Sequence, residues 1–132
     1  MAIHTFWDDQ ARTRIIIEFE TAWTWDDLTR AIKDVDTHIS SVGHAVDIII
    51  DVEGSELPRD FIAAAKKMLS NNPAAPRDNE GNRVVVGANN TIRNVYQTLQ
   101  RTFGERLVGR EVLFAEDLLQ ARSMLYSMRL GD

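Results

Sequence analysis

The sequence predicts an α/β fold: a mixed sheet of about five strands in the order β-β-α-β-α-β-α-β-α, with four helices packed mainly on one face. Three observations carry that expectation. Short runs of β-branched residues recur, "RIIIEF", "VDIIID" and "RVVVG", each of strand length and apolar enough for the middle of a sheet. Between them lie stretches in which apolar residues return every three or four positions, the period of a helix with one buried stripe. Strands and helices alternate along the chain instead of segregating, which is the pattern of parallel strands joined by helical crossovers.

Ile3 to Trp7 and Arg12 to Glu20 read as two strands joined by the polar "DDQA", a connection short enough for an antiparallel hairpin. The first helix has a marked start. Thr24 followed three residues later by Asp27 has capping-box spacing, with Trp23 and Leu28 at the hydrophobic-staple positions. Trp25, Leu28, Ile32, Val35, Ile39 and Val42 then form its apolar stripe, and Gly43 suits its left-handed end. "AVDIIIDV" follows as a central strand.

Asp60 to Ser70 reads as the second helix, entered through Pro58, with Phe61, Ile62, Ala65, Met68 and Leu69 inward. "NNPAAPRDNEGN" is a loop by its Pro, Asn and Gly content, and "NRVVVGA" is the next central strand. Asn90 or Thr91 caps a third helix that carries Ile92, Val95, Tyr96, Leu99 and Phe103 on one side. "EVLF" is a short last strand, and Ala115 to Leu130 is an amphipathic closing helix.

The chain of 132 residues is one domain's worth, spanning 1–132, and long enough to bury a core without a staple. It has no cysteine, which excludes disulfides, thiolate metal sites and cysteine-based catalysis. A net charge of −5 disfavours nucleic acid as a partner. Acidity is concentrated at the front, with six basic and thirteen acidic side chains in residues 1–66 against nine and seven in residues 67–132. No basic leader opens the sequence and no apolar run reaches spanning length, so a soluble, cytoplasmic protein without a membrane span is expected.

If every helix covers one side, the strands leave a narrow apolar row on the other. The expected row is Ile16, Ile49 and Val85, flanked by charges that argue against a covering helix, and a homodimer contact is one use for it.

The element order, with "VDIIIDVEG" and "VVVGAN" each leading into a helix, resembles the STAS superfamily of anti-sigma-factor antagonists over essentially the whole chain. It also resembles a group of small bacterial proteins that share "W-T-W-D" before the first helix. The STAS resemblance implies a regulatory module that works through protein contacts, switched in that family by phosphorylation of a Ser or Thr after a strand-terminal aspartate. Asp51 matches the aspartate. The phosphoacceptor position has no counterpart, because Glu56 to Phe61 contains no hydroxyl; Ser55 is the nearest and stands early, in the loop.

Other constellations are thin. Asp51, Glu53, Glu56 and Asp60 lack the spacing of a calcium loop or of a nucleophile with its base. Gly87 with Asn89, Asn90 and Arg93 places a strand-to-helix turn where an anion can sit, but a single glycine falls short of a nucleotide fingerprint. His4, His38 and His44 are scattered, Trp23 and Trp25 fit packing positions, and neither a metal nor a cofactor is expected. Two functions follow as expectations. The first is a non-enzymatic interaction or regulatory module using Glu53, Ser55, Glu56, Arg59 and Asp60 to meet a protein partner. The second is a small-molecule or lipid-binding protein, or an enzyme, with a strand-end site at Asp51, Gly87, Asn89 and Asn90.

Overall fold

The computed structural model describes residues 2–71, 79–103 and 112–130, without the side chains of 68–71, 102–103 and 130. The expected inward positions of Met68, Leu69 and Phe103, the loop across 72–78, and a start of the last strand at Glu111 lie outside the described residues. The elements run β1 (Ile3–Trp7), β2 (Arg14–Phe19), α1 (Trp25–Ser40), β3 (Val46–Asp51), α2 (Phe61–Asn71), β4 (Glu80–Val86), α3 (Asn90–Phe103), β5 (Val112–Ala115) and α4 (Leu118–Leu130). They form the mixed five-stranded sheet and four helices that the sequence predicts.

Strand order in the sheet is β1-β2-β3-β4-β5, with β1 antiparallel to β2 and every later pair parallel. Successive right-handed crossovers that always step in the same direction put their helices on one face. Accordingly α1, α2 and α3 share a side, over Ile15, Ile17, Ile48, Ile50, Val85 and Phe114. The α1 stripe is Leu28, Ala31, Val35 and Ile39; Ile32, expected in it, is 47% exposed. Both halves of the capping box form, with Thr24 N donating to Asp27 Oδ2 at 2.9 Å and Asp27 N to Thr24 Oγ1 at 3.2 Å. The hairpin turn between β1 and β2 is held by Asp9, whose Oδ1 accepts from Thr13 N and Arg14 N.

The opposite face is not bare, and this corrects the sequence expectation. Helix α4 lies across it, burying Ala121 and Leu125 against Ile16, Ile49, Val84, Val86 and Ala115. A homodimer through Ile16, Ile49 and Val85 therefore has no surface: Ile16 and Ile49 are under α4, and Val85 points the other way. Val85 pairs with Ile50 and Phe114, whereas Val84 pairs with Ile49 and Leu113, so the row continues through Val84 and Val86. The register shift at the start of the β3/β4 pairing decides which side each valine faces. Among the charges flanking the row, Asp47 is accommodated by pairing with α4. Arg129 of α4 reaches the buried Asp47, and Arg122, seven residues earlier on α4, reaches Asp8. No helix among the described residues is long and apolar enough to cross a membrane.

Candidate functional site

The C-terminal ends of β2, β3 and β4 carry the loops that the sequence singles out, and the structure sorts their residues into three groups. Glu53, Glu56, Arg59 and Asp60 are exposed along the segment between β3 and α2. Ser55 is not: it is 5% exposed, and its Oγ accepts a hydrogen bond from the Trp23 indole at 3.0 Å. The expectation that Ser55 belongs to an interaction surface is therefore corrected. The backbone turn at Gly54, with Ser55 N donating to Val52 O and Glu56 N to Thr21 O, swings the hydroxyl inward and ties the segment to the loop after β2.

Asp51, Gly87, Asn89 and Asn90 stand at the ends of β3 and β4 and the start of α3, and polar groups of the first three are already engaged. Asp51 Oδ1 accepts from Glu53 N at 3.1 Å, Gly87 N donates to Ala115 O at 3.0 Å, and Asn89 Oδ1 caps α3 by accepting from Ile92 N at 2.9 Å. Gly87, at φ +74°, packs so closely on Glu53 that an added Cβ would stand 2.6 Å from the Glu53 Cβ. The two loops thus close the strand-end crevice between β3 and β4. The open cleft at this end, about 470 Å³, lies between the β2 and β3 loops instead, bounded by Phe19, Glu20, Thr21, Ala22, Glu53 and Gly54.

A more distinctive feature lies beneath these loops, on the helix-covered face. An apolar cavity of about 240 Å³, partly open to solvent, separates the sheet from the start of α1, the 52–61 segment and α3. Its floor is Phe19, Ile50, Val85 and Phe114, and its walls include Trp23, Leu57, Phe61, Ile92, Tyr96 and Leu99. The polar side-chain atoms of the lining belong to Trp23 and Tyr96, and the Trp23 indole is committed to Ser55. One rim is an aromatic cluster: Trp23 meets Phe19, Trp25 and Phe61 edge-on, and Trp25 stacks on Phe61 with centroids 5.3 Å apart. The Trp25 indole nitrogen in this cluster is buried without an acceptor among the described residues.

The sequence names most of these lining residues as packing positions of separate elements. It carries no signal that the three helices stop short of filling the space between them, because the same apolar stripe serves a tight core or a hollow one. The histidines do not converge. His38 Nδ1 is 2.6 Å from Asp34 O, His44 Nε2 is 2.8 Å from Arg12 O, and His4 Nε2 is 3.5 Å from Glu20. Among the described residues no three His, Asp or Glu side chains gather as a metal site would require. Comparison of the chain with known protein families, with curated proteins and with solved structures finds no match.

Proposed function

We propose that this protein is a non-enzymatic binding module whose ligand is a small apolar molecule held in the cavity under α1, α2 and α3. The observation that carries this reading is the cavity itself, about 240 Å³ and walled by Phe, Trp, Tyr, Leu, Ile and Val. A dry apolar cavity of about 150 Å³ already binds benzene. Pockets that are mostly apolar with few polar groups hold ligands by excluding water from them. The lining includes no carboxylate, histidine or serine positioned for proton transfer or attack, which favours binding over turnover. Titration with 1-decanol, followed through tryptophan fluorescence and calorimetry, tests the reading. Saturable binding that Val85→Phe abolishes by filling the space is the expected result; absence of saturable binding to the folded wild-type protein overturns it.

A second reading draws on the outer side of the same segment. Residues 52–61 turn Val52, Leu57 and Phe61 toward the cavity while Glu53, Glu56, Arg59 and Asp60 stay exposed. The STAS resemblance of the sequence supports a protein partner at that acidic edge, in a regulatory role. Isolation of a specific partner whose binding is lost on Glu53→Lys with Glu56→Lys is the expected outcome. A partner indifferent to both reversals would place its contact elsewhere.

A further inference from the structure

The cavity is carbon-walled, yet a cation stands at its margin. Arg93, in the first turn of α3, lays its guanidinium over the Phe114 ring, with Cζ 4.7 Å from the centroid. Phe114 is part of the cavity floor, and Ile92 and Tyr96, the neighbours of Arg93 on α3, form part of its wall. Tyr96 also meets Phe114 edge-on at 5.6 Å, so ring, phenol and guanidinium form one group at this side of the cavity. Nε of Arg93 donates to Ala88 O at 3.3 Å, which anchors the head over the ring. Arg93 is exposed and has no ion pair with a carboxylate among the described residues. Helix α3 itself carries Arg93 and Arg101 and no acid, in a chain of net charge −5, while Glu53, packed on Gly87, and Glu116 and Asp117, just after Phe114, are acids of the neighbouring loops.

We propose that the ligand is a monocarboxylate with a medium-length hydrocarbon body, the chain lying in the cavity and the carboxylate meeting Arg93. A guanidinium is weakly hydrated and its planar fork matches a carboxylate. Its position over Phe114, a ring of the cavity floor, sets the charge just outside the lining, beside Ile92 and Tyr96 of the wall. Size follows from the volume. At the ratio set by benzene in a cavity of about 150 Å³, the 240 Å³ here accommodates about ten carbons.

The proposal rests on the cavity being the binding site, and the test separates the two. Binding of decanoate, 1-decanol and decylamine to the full chain is measured calorimetrically at low ionic strength, for the wild type, Arg93→Gln and Arg93→Lys. Decanoate is expected to bind about three- to tenfold more tightly than decanol, the range of a partly exposed charged contact. Decylamine is expected to bind most weakly. Arg93→Gln brings decanoate down to the level of decanol, and Arg93→Lys retains part of the preference. Equal affinities for decanoate and decanol in the wild type, or a preference that survives Arg93→Gln, overturn the carboxylate assignment and leave the apolar site standing. Failure of all three to bind overturns both.

Discussion

Arg129, at the end of α4, donates from Nε to Oδ2 of the buried Asp47 at 3.0 Å, at the place where β3 and β4 slip register. The other carboxylate oxygen, Oδ1, accepts from Asn82 N at 2.8 Å, so the side chain satisfies a backbone donor at the irregularity. Arg129 Nη2 adds contacts of 3.2 Å to Thr13 O and Ala45 O. One guanidinium thereby ties the beginnings of β2 and β3 to the last turn of the helix that covers them.

Removing one member of this arrangement strands the other. Asp47 is 2% exposed, so Arg129→Ala leaves a buried carboxylate with one partner fewer, and a loss of about 2–4 kcal/mol is expected. Gly81→Ala reaches the same group by contact, since its Cβ would stand 2.2 Å from Asp47 Oδ1 and 3.0 Å from Val46 O. Urea denaturation of the single and double variants checks the mechanism. The cost of Gly81→Ala should shrink in an Asp47→Ala background, whereas strict additivity would mean the carboxylate is not what it strikes.

The second clasp of α4 makes stability depend on pH. Arg122 grips Asp8 with two bonds, Nε to Oδ2 at 3.0 Å and Nη2 to Oδ1 at 2.7 Å, while Arg14 Nε also donates to Oδ2 at 3.0 Å. The Arg122 hydrogen bond, outweighing burial and helped by Arg14, holds the Asp8 carboxyl below its ordinary value. A carboxyl lowered in the folded state contributes stability that is complete above its unfolded value, near 4, and lost as pH falls through the folded one. The wild type should therefore lose more stability than Arg122→Gln between pH 5 and pH 2, as followed by denaturant titration at each pH. Asp9, where hydrogen bonds from Thr13 and Arg14 override the upward push of burial, and Asp27, lowered by Thr24, are lowered as well. Both persist in the variant, so the difference between the two curves isolates Asp8. Parallel curves would show that the clasp adds nothing.

Local chemistry was readable in the sequence; relationships between distant residues were not. The Thr24–Asp27 box sits three residues apart and is realised in both directions, and the alternation of β-branched runs with helical stripes yields the succession of strands and helices along the chain. The face taken by Val85 depends on its pairing with Ile50 and Phe114 after a register shift, which no reading of "RVVVG" alone contains. The side taken by α4 brings Arg129 to Asp47, 82 residues away, so one charge that argues for an open face is a partner of the helix that closes it. Trp23 is a packing residue, as its staple position implies. Its indole also takes the hydroxyl of Ser55, 32 positions on, which turns a loop serine into a core one.

That pair sets an expectation for Ser55. Replacing it with Ala removes one neutral hydrogen bond and leaves the Trp23 N–H without its acceptor, a loss of about 1–3 kcal/mol. Ser55→Asp buries a charge in the aromatic cluster and should destabilise more than Ser55→Ala, in contrast to a surface phosphosite, where an acidic replacement is close to neutral. Thermal melting ranks the two. Treatment of the folded protein with a broad-specificity serine kinase should leave Ser55 unmodified, and stoichiometric phosphate there, found by mass spectrometry, would contradict its burial.

The contact between the two strand-end loops can be tested with a pair of glycines that share one backbone conformation. Gly54 and Gly87 both have φ +74°, where a side chain costs about 1–2 kcal/mol through its own backbone. They differ in what surrounds them. A Cβ on Gly54 meets nothing within 4 Å, but on Gly87 it stands 2.6 Å from the Glu53 Cβ and 2.9 Å from the Glu53 Cα. The second distance is to backbone, which cannot rotate away, and Val52, the preceding residue, is anchored by Val52 N donating to Val86 O at 3.0 Å. Gly54→Ala should thus cost the conformational term alone, and Gly87→Ala about 1–3 kcal/mol beyond it, the range for overpacking. Glu53→Gly removes the nearer atom and keeps the farther one, so it should recover only part of the excess in Gly87→Ala. Because Val52 lines the cavity, pushing this segment outward should also weaken decanol binding, an effect that Gly54→Ala lacks. Equal destabilisation by the two alanines would mean the loops can part at no cost, and the closed crevice between β3 and β4 would not be a fixed boundary of the site.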